Sequence, residues 1–243
     1  MTTLGNVTPT YGRHLTLLIA TGWMLVAPVQ SRAGYILDQS NVVPSFLSDL
    51  AIINSQSMAQ TFTVGNTGQL CAVGVQVYKN TGTSGDLTLE IVTTTGGVPA
   101  PNSATPLFQT TVALAAIPTL DDPFGSVPMT LVNVSAGGIP VVRGDVLAIV
   151  LRSPNGLSYP PGALWRSGVN SYAPGAEFYQ PGADTTWTPS TFGDGTSQDA
   201  GFQTYVTPEP SSLLLAGSGL LAVAGLRYAR ARKGSRRTPT VRA

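Results

Sequence analysis

The chain has 243 residues, only 10% of them charged, with 27 glycines and 19 prolines, a balance that favours short strands and many turns and leaves room for one sizeable domain. The formal net charge of +1 conceals a segregation: seven of the thirteen basic residues lie in the last seventeen positions, while residues 34–212 hold four basic and all twelve acidic side chains, a net −8. An acidic central region excludes a nucleic-acid-binding role, which needs a basic face, and a single cysteine, Cys71, excludes an intramolecular disulfide.

The first predicted element is a secretory signal over residues 1–33. Arg13 and His14 precede a mostly apolar run from Leu15 to Val26, and Pro28 and the tripeptide Ser31-Arg32-Ala33 follow it. A basic flank, a short apolar run and small residues at −3 and −1 predict cleavage between Ala33 and Gly34. As a helix the run rises only about 18 Å, short of a hydrocarbon core of roughly 30 Å, so a cleaved leader is expected in preference to an anchor or a core helix. The following domain is therefore expected outside the cytoplasm.

From Gly34 onward the pattern is strand after strand. The clearest segments are QTFTV at 60, LCAVGVQVY at 70, LTLEIV at 87, LFQTTVAL at 107, MTLVNV at 129, DVLAIVL at 145 and GFQTYV at 201. Val73, Val75 and Val77 alternate, as do Leu87, Leu89 and Ile91, the period of two that one buried sheet face requires. VLAIVL is apolar throughout and predicts a central strand covered on both faces, and Cys71 is expected as a small buried hydrophobe. Gly- and Asn-rich gaps predict tight turns, and no fixed-period repeat suggests a solenoid or propeller. The expectation is an all-β fold, a two-sheet jelly-roll-like sandwich over residues 34–206, with the signal helix and a C-terminal transmembrane helix outside its core.

Chemistry is sparse in this region. The only histidine, His14, lies in the predicted leader, so the mature domain lacks the imidazole of Ser-His-Asp and Cys-His systems and of the usual zinc sites, and no enzymatic role is expected. Glu90, Asp121, Asp122, Glu177 and Asp184 could in principle form a glycosidase pair, but nothing marks two of them as neighbours, and surface solvation is the expected role. Asp194 and Asp199, set around glycines in FGDGTSQDAGF, are candidate ligands for a structural calcium ion, with a plain turn as the alternative. The segment 159–192, YPPGALWRSGVNSYAPGAEFYQPGADTTWTPSTF, gathers seven aromatic residues. Exposed on loops, Trp165, Tyr172 and Trp187 could stack on sugar rings with Glu177, Asp184 and Asn170 as hydrogen-bonding partners; alternatively, Trp165 and Trp187 plug the core.

The last element is the uncharged run Leu213 to Leu226, with Ser211 and Ser212 placed to cap a helix. Its helical length of about 21 Å needs flanking residues or local thinning to span. Arg227, Arg230, Arg232 and Lys233 crowd its C-terminal side, so the positive-inside rule leaves residues 234–243 as a cytoplasmic basic tail and the acidic domain on the far side. A core helix should show a polar stripe, and this run is apolar all round.

Pro208-Glu209-Pro210, the apolar run and the Arg-rich end together resemble the PEP-CTERM sorting signal of Gram-negative bacteria that make exopolysaccharide, over residues 207–233. The resemblance implies recognition of Pro208, Glu209 and Pro210 by an exosortase, a membrane transpeptidase-like enzyme. Arg227, Arg230, Arg232 and Lys233 would be the retention charges. It further implies an inner-membrane-anchored precursor with its domain in the periplasm, then transfer to the cell surface or medium. The domain itself, through AQTFTVGNTGQLCAVGVQVYKNTGTSGDLTLEI, GDVLAIVLRSPNG and DAGFQTYV, resembles the exported sandwiches called choice-of-anchor domains, which have no assigned catalytic residues. The implied role is structural or adhesive with exopolysaccharide, as a component of the cell surface or biofilm matrix; the alternative is a carbohydrate-binding module using the 159–192 aromatics.

Overall fold

The computed structural model describes residues 34–44, 48–101, 104–120, 125–153, 162–169, 171–182 and 186–208. The predicted leader, the sorting segment from Glu209 onward with its membrane run, and Asp121, Asp122, Tyr159, Asn170 and Asp184 lie outside the described residues.

The regular structure of the described residues is almost all antiparallel strand: β1 (Ile36–Asn41), β2 (Ser48–Ile52), β3 (Gln56–Thr63), β4 (Gly68–Val75), β5 (Val77–Lys79), β6 (Leu87–Thr95), β7 (Val98–Pro99), β8 (Phe108–Val112), β9 (Thr130–Asn133), β10 (Pro140–Val141), β11 (Val146–Arg152), β12 (Ala163–Val169), β13 (Glu177–Pro181), β14 (Thr188–Pro189), β15 (Gln198–Ala200) and β16 (Phe202–Pro208). One layer is a seven-stranded sheet in the order β14-β13-β3-β11-β6, whose far edge is shared by β7 and β8. The other layer begins as β1-β16-β4, with β9 and β10 along the outer edge of β4. It continues as a smaller sheet in which β12 pairs with β15, β2 and β5. The result is the expected sandwich.

Each of the seven segments expected as strands contains one. Val73, Val75 and Val77 meet Leu87, Leu89 and Ile91 in one apolar core, joined by Met58, Phe62, Ile149, Trp165 and Phe202. β11 is central, flanked by β3 and β6. Its Leu147, Ile149 and Leu151 enter that core, while Ala148 and Val150 lie in a second cluster with Ala59, Val92, Phe178 and Trp187. The uninterrupted apolar run of this strand therefore follows from cover on both faces. Cys71 is buried, as expected, and its thiol donates to the carbonyl of Tyr205 at 3.1 Å, where a bulge shifts the β4–β16 register. Burial pushes the thiol's pKa up, which suppresses the reactive thiolate.

The second layer forks. β4 and β16 pair as far as Val75 and Phe202, and their continuations β5 and β15 then part along one edge of β12, whose other edge pairs with β2. Three backbone hydrogen bonds close the fork: Gln76 N–H to Gly201 O at 2.9 Å, Arg166 N–H to Gln76 O at 2.9 Å, and Gly201 N–H to Arg166 O at 2.8 Å. A side chain at Gly201 would run into that of Gln76, whose amide oxygen already accepts from Val43 N–H at 2.7 Å. This junction carries the segment around Trp165 into the interior.

Candidate functional site

Two features of the sandwich bear on function: the pole from which the sorting motif departs, and a polar groove on the outer face of the seven-stranded sheet.

β16 runs past residue 206, where the domain boundary was placed, and ends on Pro208, the first residue of the Pro-Glu-Pro motif. Its last residues pair with β4, Thr207 opposite Gln69 and Pro208 opposite Gly68. The approach depends on Gly68 having no side chain, because a Cβ there would overlap the carbonyl of Thr207. On its other side β16 pairs with β1, Ile36 opposite Val206. Gly34, on the domain side of the predicted leader cut, is therefore two residues from a strand pair whose partner is two residues from the sorting motif. The beginning of the domain and the departure of its sorting signal share one pole.

The groove, about 260 Å³, is lined by Asn54, Ser57, Thr88, Glu90, Gln109 and Arg152 together with Ile53 and Ser153. Arg152 is fixed within it: Nε meets Glu90 Oε2 at 2.9 Å, and Nη1 donates to Ser57 Oγ at 3.2 Å and to Gln180 Oε1 at 3.3 Å. The Trp187 ring supports its guanidinium from one side, 5.5 Å from the ring centroid. The arrangement offers polar donors and acceptors on a rigid sheet around an internally neutralised charge.

Of the two placements open to the candidate stacking residues, the structure shows the buried one. Trp165 is fully buried in the core, its indole N–H donating to Gly201 O at 2.9 Å. Tyr172 packs edge-on against Phe202, with centroids 5.0 Å apart, and its hydroxyl donates to Gln39 Oε1 at 2.9 Å. Trp187 covers the second cluster, donating to Ala100 O at 3.0 Å. None of the three presents a free ring face, which corrects the stacking surface assigned to them. The physical reason is that β12 carries Trp165 into the core, while long-range hydrogen bonds to Gln39 and Ala100 seat the Tyr172 and Trp187 rings against the sheets.

The candidate calcium ligands do not converge on a site either. Asp194 is exposed, its Oδ1 accepting Thr196 N–H at 2.9 Å, a bond that lowers its pKa. Asp199 is buried, accepting from Gln60 Nε2 at 3.3 Å and Tyr172 N–H at 2.9 Å. Among the described residues no cluster of three or more His, Cys, Asp or Glu side chains is arranged to hold a metal.

What composition concealed is a buried polar seam. Arg166 lies in the interior, its Nε 2.9 Å from Asp49 Oδ1 and its guanidinium over the ring of Tyr78, whose hydroxyl donates to Asp49. Glu177, expected at the surface, is completely buried: Oε1 accepts from Ser167 Oγ at 2.8 Å, and Oε2 has no partner. Burial, with Asp199 and Asp49 adding repulsion, pushes its pKa up to about 8, so it holds its proton at neutral pH. Burial also raises the pKa values of Asp49 and Asp199. No simple sequence signal marks these residues, because an inward-facing polar side chain breaks the alternation that reveals a strand.

Residues 206–233 match the PEP-CTERM protein-sorting motif. The chain thus carries the signal of an exported protein sorted to the cell surface through an exosortase. No curated protein matches the chain. Among solved structures it is similar to the clostridial cysteine protease Cwp84 after propeptide cleavage, with 14% identity, a TM-score of 0.46, and coverage of 72% of this chain and 40% of that one. It is also similar to the cysteine protease and lectin-like domains of Cwp84, a surface layer associated protein of Clostridium difficile, with 14% identity, a TM-score of 0.41, and coverage of 72% and 36%. The chain spans about two-fifths of the length of those structures.

Proposed function

We propose that this chain is a cell-surface or extracellular-matrix protein, a sandwich of the choice-of-anchor type delivered by its sorting tail for a structural or adhesive role with exopolysaccharide. Its precursor is anchored in the inner membrane through residues 213–226, with the acidic sandwich in the periplasm and Arg227, Arg230, Arg232 and Lys233 on the cytoplasmic side. An exosortase then reads Pro208, Glu209 and Pro210 and separates the sandwich from its anchor. The observation that carries this reading is the junction itself. Because β16 ends on the first residue of the motif, a cut beyond Pro208 frees the whole sandwich with all its strands. The role is non-catalytic, in keeping with a mature domain that has no histidine.

The test is the intact mass of the protein recovered from the cell surface or medium. A chain ending between Thr207 and Ser212 is expected; a species retaining RYARARKGSRR would show a permanent anchor instead.

A second reading, a carbohydrate-binding module, is favoured by one observation. All but one of the eight residues lining the groove beside Arg152 are polar, which suits the hydroxyl groups of a neutral saccharide. Contact with polysaccharide is assigned there, and not to the aromatic segment.

A further inference from the structure

Nine large hydrophobic residues are exposed on the described surface, and five of them, Tyr35, Ile36, Leu37, Val98 and Val142, lie at the pole where the sorting motif departs. Register places them. Ile36 and Leu37 pair with Val206 and Tyr205. Val142 follows Val141, which pairs with Gly68, the partner of Pro208. Val98 pairs with Thr95, next to Thr94, whose hydroxyl donates to Val146 O at 2.8 Å. Both layers end here, because the β3–β4 and β10–β11 connections cross between them at this pole, where Gly144 N–H donates to Val64 O and Val64 N–H to Asp145 O, both at 2.8 Å. Single exposed apolar residues are ordinary, whereas a cluster of them around one exit point calls for a partner.

The charges at the pole suit a zwitterionic surface. Arg143 is exposed beside Val142, and the two ion pairs among the described residues, Arg152–Glu90 and Arg166–Asp49, do not involve it. The nearby acids are turned to local amides: Asp38 accepts from Gly65 N–H and from Asn66 Nδ2, and Asp145 accepts from Val142 N–H.

The length of chain beyond the sandwich identifies the partner. Leu213, where the apolar run begins, is five residues from Pro208. Five residues extend at most roughly 18 Å, at about 3.3–3.6 Å each. If Leu213 to Leu226 enters the bilayer, Pro208 is leashed to its surface, and the pole around Pro208 faces the lipid.

We propose that in the membrane-held precursor this pole docks on the bilayer, with Tyr35, Ile36, Leu37 and Val142 in the boundary between headgroups and acyl chains and Arg143 at the phosphates. The proposal rests on the reading of residues 213–226 as the anchor. Docking holds the junction between β16 and the motif at the depth where a membrane enzyme works, and processing then releases the pole.

The full chain, with Cys71 replaced by alanine, is reconstituted into phosphatidylcholine vesicles containing a nitroxide-labelled lipid. A fluorescent probe is placed in turn on Leu37→Cys, Val142→Cys, Ala222→Cys and Val169→Cys. Val169 is exposed and pairs with Gln198, ten residues along the chain from Pro208, so it reports the far end. Docking predicts quenching of about twofold or more at positions 37, 142 and 222 and little at 169. Quenching at 222 without quenching at 37 and 142 overturns docking and leaves the anchor standing. No quenching at 222 overturns the anchor and docking together. Probes at 37 and 142 that are shielded from water but not quenched by lipid, with shielding that grows with protein concentration, assign the pole to a second copy of the chain and also overturn the proposal.

Discussion

Glu177 gives the sharpest quantitative prediction. Its carboxyl is fully buried, meets one hydroxyl, and has its pKa raised from the ordinary 4.5 to about 8. Below pH 4.5 both the folded and the unfolded chain hold the proton, and its titration contributes nothing to the pH dependence. Between pH 4.5 and about 8 the unfolded chain releases the proton while the fold retains it, so stability falls as the pH rises through that window. At about 1.4 kcal/mol per pH unit, the full loss above pH 8 is about 5 kcal/mol. Glu177→Gln removes the titration but places an amide N–H₂ where Oε2 has no partner, a penalty of about 1–3 kcal/mol at every pH. The variant is therefore expected to be less stable than the parent at pH 5 and more stable at pH 9, by about 2–4 kcal/mol, with the two curves crossing between. Urea unfolding followed by tryptophan fluorescence at pH 5, 7 and 9 measures this directly. Buried Asp49 and Asp199 have raised pKa values as well, so some pH dependence persists in the variant. Parallel curves for parent and variant from pH 5 to 9 would refute the reasoning.

Two other substitutions test the junction and the groove. Gly68→Ala puts a Cβ against the carbonyl of Thr207 and should cost about 1–3 kcal/mol, lowering Tm by roughly 2–4 °C per kcal/mol; an unchanged Tm means that β16 does not hold its last residues against β4. Gln109→Ala removes an exposed side chain that lines the groove and should leave Tm nearly unchanged. Its co-sedimentation with polysaccharide from the producing cells should weaken by about 3–10-fold, and undiminished binding removes the groove from consideration.

The strands that alternation exposed and the strands it missed differ in one physical respect. In β4 and β6 the inward positions are aliphatic, so the period of two is written in the side chains, and β11, apolar on both faces, shows as an unbroken run. In β12, ALWRSGV, the buried residues include Arg166 and Ser167; in β13, EFYQP, they include Glu177 and Gln180. Each is held by a specific contact with another element, Arg166 by Asp49, Ser167 and Glu177 by each other, and Gln180 by Arg152, and a neighbour brought close only by folding does not show in strand periodicity. The same fact left the aromatics open between loop and core: the contacts that seat Trp165 and Trp187, to Gly201 O and Ala100 O, join residues far apart in the chain. The sorting motif was legible for the opposite reason. It is a linear signal, read from residue order, and needs no fold to define it. Its overlap with β16 was hidden, because a strand end in Thr-Pro carries no periodic mark.

That overlap narrows the expected processing site further than the motif does. β16 lies between β1 and β4, and Val206 is fully buried in the core. A cut before Val206 would remove a side chain whose burial contributes about 1.5–3 kcal/mol, and with it the cross-strand pairing of Ile36 and Leu70. A cut after Pro208 removes nothing that the described core contains. The mature terminus is therefore expected at Pro208 or within the few residues after it, and a recovered species ending before Val206 should melt well below one ending at Pro208. Equal melting temperatures for the two would mean that the end of β16 contributes nothing to the fold, and the junction would lose its place in the argument.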